Sequence, residues 1–93
     1  MLVHMNERDK KDFVHKYGRP FVKFSENLGK EVRRLRGSKN MTLEMCEEKA
    51  GINWRQLQRI ETGERPNWNL HNLFMICKAL DIQPAELFKN IKL

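Results

Sequence analysis

The segment NWRQLQRIET, from Asn53 to Thr62, gathers side chains that can read nucleic-acid bases. At about 100° per residue, Leu57 and Ile60 define one face of a helix. The side roughly opposite carries Arg55, Gln58, Arg59 and Thr62, with Trp54 at its margin. Arginine bonds bidentately to O6 and N7 of guanine, glutamine does the same with N6 and N7 of adenine, and an apolar edge meets the thymine methyl. A solvated helix face is also charged, so the pattern alone leaves both readings open.

The elements that must position these side chains follow from apolar spacing. Thr42 stands where a helix N-cap belongs, and Met45, Cys46 and Ala50 are the expected inward positions of a short helix ending at Ala50. Gly51 breaks it, because glycine readily takes the positive φ of a sharp turn. Asn53 then caps the next helix, which Thr62 and Gly63 end. Two short helices joined by a turn of about three residues form a helix-turn-helix, in which the first helix braces the second across the mouth of the major groove.

Other helices must frame this pair. Phe21, Phe24, Leu28, Val32 and Leu35 recur at steps of three and four, predicting a helix from about Pro20 to Arg36, ended by Gly37, Ser38, Lys39 and Asn40. Asn69 is placed to cap a further helix with Leu70, Leu73, Phe74, Cys77 and Leu80 facing in, and Pro84 opens a last short helix with Leu87 and Phe88 as contacts. Glu7 to Tyr17 is helix-compatible, with a short stripe of Phe13, Val14 and Tyr17, and residues 1–6 carry no pattern. The expected fold is all-α, about five helices around a central helix-turn-helix, in a domain spanning residues 20–93 behind an N-terminal arm or short helix over residues 1–19.

Composition bounds the function. Ninety-three residues support one core, which buries only roughly 60 to 65% of the unfolded surface. That leaves little room for a deep enclosed active site. A net charge of +6 favours a polyanionic partner. Lys30, Arg33, Arg34, Arg36 and Lys39 against Glu31 alone make residues 30–40 a candidate phosphate-facing stretch. Arg33 and Arg34 fit a solvated helix face equally well.

From Leu28 to Phe88 the order of residues resembles the phage-repressor and Cro-type helix-turn-helix domain, often called the XRE family, whose fold is lambda-repressor-like. The matching pieces are Leu28, Gly29, Val32, Leu35 and Arg36, then AGI at Ala50 to Ile52, RIETG at Arg59 to Gly63, and the closing KALDIQPAELF. The resemblance implies that the helix over residues 53–62 enters the major groove. Base contacts then fall to Trp54, Arg55 and Arg59, joined by Gln58. Phosphate-side candidates are Thr42, Asn53, Gln56, Lys39 and Arg65, the last in a loop that matches a phosphate-contacting region. The resemblance further implies a pairing of Arg36 with Glu61, and a homodimer on a palindromic operator in double-stranded DNA.

Three positions depart from the family pattern. Leu43 replaces a usual glutamine that reaches phosphate. Glu47 replaces a usual alanine where the two motif helices approach, so it must bend outward or force them apart. Trp54 is large for its place, and either meets DNA or folds back onto protein.

The expected role is a sequence-specific DNA-binding regulator, a repressor, in the cytoplasm. The alternative is an antitoxin or other interaction module that uses the same fold to bind a partner protein such as a toxin. His4, His15 and His71 lie at no metal-ligand spacing, no glycine-rich phosphate loop is present, and no Ser, His and Asp set can be nominated, so neither enzymatic activity nor a cofactor is expected. Cys46 and Cys77 read as core thiols. Apolar runs stay short, so neither a membrane span nor a secretory signal is expected. Leu87, Phe88, Ile91 and Leu93 leave open a dimer contact or plain packing.

Overall fold

Helix α2 (Arg19–Ser38) is the spine of the molecule, and its apolar repeat explains why. Val22, Ser25, Leu28, Gly29, Val32 and Leu35 are buried along one face, with Phe24 on the flank of the core. Pro20 sits in its first turn, where the missing N–H costs nothing. The helix runs to Ser38 rather than ending at Arg36, because Gly37 accepts helical geometry and the Ser38 hydroxyl donates to the Leu35 carbonyl at 2.7 Å. The chain leaves only at Lys39 and Asn40, the latter with φ of 54°.

The computed structural model describes residues 7–93, and among these α2 is joined by α1 (Glu7–Tyr17), α3 (Leu43–Ala50), α4 (Trp54–Thr62), α5 (Leu70–Leu80) and α6 (Pro84–Phe88). His4 and the patternless residues 1–6 lie outside the described residues. From Glu7 onward the N-terminal segment is helix, not extended arm. It folds back along α2, with Lys10 Nζ 3.7 Å from Glu26 Oε2 and the Tyr17 and Phe21 rings 5.5 Å apart across the turn at Gly18.

The core gathers Val32, Cys46, Ile52, Leu57, Ile60, Ile76, Leu80 and Leu87. Burial pushes both cysteine thiols up from their ordinary pKa, so they are poor nucleophiles and serve as packing. Gly29 is the tightest point. A Cβ there would collide with the Ile60 carbonyl oxygen and stand 3.4 Å from the Glu61 Cα, so α2 and α4 meet backbone to backbone.

Three expected core positions are corrected. Met45 is 45% exposed, because Leu43, Cys46 and Ala50 supply the inward stripe of a helix with only two turns. Its sulfur instead accepts the Thr42 N–H at 3.5 Å. In α5, Leu70 and Phe74 face outward, 80% and 61% exposed, while Asn72, Ile76, Cys77, Ala79 and Leu80 are buried. The segment LHNLFMICKAL is apolar nearly all round, so periodicity does not fix its rotation. What fixes it is a reciprocal cap: Asn72 N–H donates to Asn69 Oδ1 at 2.7 Å and Asn69 N–H to Asn72 Oδ1 at 3.1 Å, which turns Asn72 inward. At the C-terminus Leu87 is fully buried and Phe88 and Ile91 pack against the core, so only Leu93 stays free of it.

Candidate nucleic-acid interface

Helix α3 ends at Gly51, whose φ of 80° turns the chain sharply, and Ile52 drops into the core with no exposed surface. Asn53 restarts helix at once. Its Oδ1 accepts the Arg55 and Gln56 N–H groups at 2.9 and 3.2 Å. The turn is therefore Gly51, Ile52 and Asn53, each present for a separate physical reason.

Helix α4 is two-faced. Leu57, Ile60 and Glu61 are buried, whereas Arg55 and Arg59 are exposed and Trp54, Gln56 and Gln58 are half-buried. The Arg55 guanidinium carbon stands 5.2 Å from the Trp54 ring centre, a cation–π contact, so the tryptophan steadies the arginine beside it. Thr62, at the end of the helix, is half-buried, its hydroxyl lying 3.3 Å from the Arg59 carbonyl and 3.2 Å from Glu64 Oε2.

An ion pair holds this helix to the spine. Arg36 Nε donates to Glu61 Oε2 at 2.7 Å and Nη2 donates to Oε1 at 2.8 Å, a fork-to-fork match. The third guanidinium nitrogen, Nη1, donates to the Met41 carbonyl at 2.8 Å, so the pair also pins the approach to α3. The hydrogen bonds to Glu61 raise the Arg36 pKa above its ordinary value. The pairing implied by the resemblance is thus present.

The phosphate-side candidates surround this pair of helices. Thr42 and Asn53 are exposed N-caps whose oxygens already accept backbone N–H groups, leaving the Thr42 hydroxyl proton and the Asn53 amide N–H groups as donors. Lys39 is exposed just ahead of α3, and Gln56 lies half-exposed in the first turn of α4. Arg65 is half-buried in the loop after α4, its backbone N–H bonded to the Arg59 carbonyl at 3.2 Å. Its Nε is buried without a hydrogen-bond partner among the described residues. The loop is anchored from below by the Ser25 hydroxyl, which donates to the Pro66 carbonyl at 2.6 Å.

The departures find places too. Leu43 packs against the core instead of reaching outward. Glu47 is half-buried in α3, and Cys46 beside it in sequence and Leu57 and Ile60 of α4 remain fully packed in the core. One partner escaped the sequence reading. Arg34 Nε and Nη2 donate to Glu31 at 2.6 and 3.0 Å, and these hydrogen bonds hold the Glu31 carboxyl below the usual carboxylate range. The three-residue spacing of Glu31 and Arg34 is the signal that could have found it. With Arg34 and Arg36 both committed to carboxylates, the cationic run over residues 30–40 reduces to Lys30, Arg33 and Lys39.

Comparison with known proteins agrees with this geometry. A family model of the Cro/C1-type HTH DNA-binding domain matches residues 31–92, from the middle of α2 through α6. No curated protein and no solved structure matches the chain. Two thirds of the sequence, including the turn and every residue of the outward face of α4, lie within the family match, and the chain belongs to the Cro/C1-type helix-turn-helix DNA-binding family.

Proposed function

We propose that the protein is a sequence-specific transcriptional regulator, a repressor, that places α4 in the major groove of its operator. It acts as a binding module and not as an enzyme. The observation that carries the reading is the outward face of α4, where Arg55 and Arg59 are exposed on a helix that Arg36 and Glu61 clamp to the spine. Trp54 and Gln58 complete the base-reading set, and Thr42, Asn53, Gln56, Lys39 and Arg65 set its register on the phosphates. Repression then requires only that the bound domain occlude the site.

Selection from random duplexes, with affinities measured at two salt concentrations, tests this reading. Arg55→Ala or Arg59→Ala is expected to relax preference at one position of the selected site, at a cost of about 1 to 3 kcal/mol there. Equal weakening on every sequence would show that these arginines touch only phosphate.

The homodimer belongs to the same reading, and the support for it is α5. Leu70 and Phe74 stand one turn apart on its exposed side, beside an apolar groove bordered by Phe21, Phe24, Trp68 and Leu73. A second copy seated there buries that surface. Selected sites should then contain two half-sites about 10 base pairs apart, centre to centre, and Phe74→Glu should give a monomer that binds a single half-site weakly. A monomeric wild-type protein on an asymmetric site would sink the dimer. It would instead favour a partner protein, such as a toxin, on that face.

A further inference from the structure

The family match begins at residue 31, inside α2, and leaves α1 and the first turns of α2 without an assigned role. That portion is strongly one-sided in charge: Lys10, Lys11, Lys16, Arg19 and Lys23 stand against Asp12 alone between residues 10 and 23. Two of the cations engage protein groups. Lys10 lies 3.7 Å from Glu26, and the Lys16 ammonium sits 5.2 Å from the Tyr17 ring centre. Lys11, His15 and Arg19 are exposed, follow one another at intervals of four residues, and line a single open concavity of about 500 Å³ together with Lys10 and Val14. A hollow walled by cationic and N–H-donating side chains focuses a field that attracts a polyanion.

Its position gives the polyanion a class. Glu26, the carboxylate that holds Lys10, has its Cγ 3.4 Å from the point a Cβ on Gly63 would occupy, and Gly63 is the C-cap of α4. Glu26 therefore bridges the Lys10 side chain of α1 to the end of the recognition helix, where the loop that carries Arg65 begins. In the later part of α2, Arg34 and Arg36 are already paired with Glu31 and Glu61, which leaves fewer free cations there to meet phosphate. Cations on α1 and at the start of α2 add to those that remain.

We propose that α1 and the start of α2 form an accessory clamp on the DNA backbone, in which Lys11, His15 and Arg19 hold phosphates flanking the site read by α4. The clamp rests on the DNA-binding reading above and extends the footprint beyond the family domain. Its contacts carry affinity without sequence information, because phosphates are alike at every step.

The test uses the full chain, the Lys11→Gln/Arg19→Gln double variant, and duplexes with and without flanking base pairs around a selected site. Both residues are exposed, so the melting temperature should match that of wild type. On the long duplex the slope of log affinity against log salt should become shallower by about 1.8, two phosphate contacts at about 0.9 each. Affinity at 0.1 M salt should fall on the order of 50-fold, with the ranking of sites unchanged. The charge-preserving Lys11→Arg/Arg19→Lys variant should keep the wild-type slope. Trimming the flanks should bring wild type to the slope of the Gln variant.

A Gln variant with wild-type slope and affinity on the long duplex overturns the clamp. So does a variant that keeps its DNA slope but no longer binds phosphatidylserine vesicles, which would reassign the hollow to a membrane surface. Arg59→Ala run in parallel separates the two readings. If it relaxes site preference while the Gln variant is unaffected, only the clamp falls. If wild type shows no site preference, the base-reading assignment of α4 falls first and the clamp with it.

Discussion

Arg36→Met should destabilise the folded domain by about 3 kcal/mol or more, because it leaves the Glu61 carboxylate buried without its partner. The Glu61 side chain is only 4% exposed, so water cannot replace the lost hydrogen bonds. For a chain of this size the midpoint of thermal unfolding should drop on the order of 15 °C. The Met41 carbonyl loses its donor at the same time, which loosens the approach to α3. The double variant Arg36→Met/Glu61→Leu is the informative companion. If most of the cost comes from the orphaned charge, the double variant should recover much of the stability, since an apolar pair often replaces a buried ion pair at little cost. Additive losses in thermal melts would show that the pair contributes through packing and not through its charges.

Gly29→Ala should be comparably severe for a different reason. An alanine normally improves a helix interior by about 1 kcal/mol over glycine. Here the added methyl meets the Ile60 carbonyl, which belongs to backbone and cannot rotate aside. Overpacking of this kind costs about 1 to 3 kcal/mol and occasionally more. The upper end applies because both contacting elements are helical main chain, so the net loss should be about 2 kcal/mol. Gly37→Ala supplies the internal control, being in the same helix with open space around its Cβ position. It should raise stability by about 0.5 to 1 kcal/mol. If chemical denaturation finds the two substitutions alike, the close approach of α2 and α4 is wrong.

The parts of this fold that were legible in the sequence are those in which one residue type has one physical use. Thr42, Asn53 and Asn69 cap the helices they were expected to cap, and Gly51 supplies the left-handed turn. The inner face of α4 was equally legible, because Leu57 and Ile60 are its only apolar residues besides Trp54 at the helix start. Helix α5 was not, because apolar residues lie on more than one side of it and its rotation is decided by a buried asparagine. Met45 failed similarly: a long flexible thioether can lie back over the start of its own helix, and spacing does not say when it will. In the basic run, the pairing of Arg36 with Glu61 was legible through the resemblance, whereas a count of cations does not show that Arg34 is already held by Glu31.

The division of α4 into two faces has a consequence for how the domain can change. Leu57, Ile60 and Glu61 fasten the helix, while Arg55 and Arg59 stand exposed on its other side, apart from the contact of Arg55 with Trp54. On the proposed function, folding and target choice are written in separate letters of one nine-residue helix. A variant library confined to positions 55 and 59 is then expected to yield members with new site preferences and the parent's melting behaviour, as a scaffold with an exchangeable typeface would.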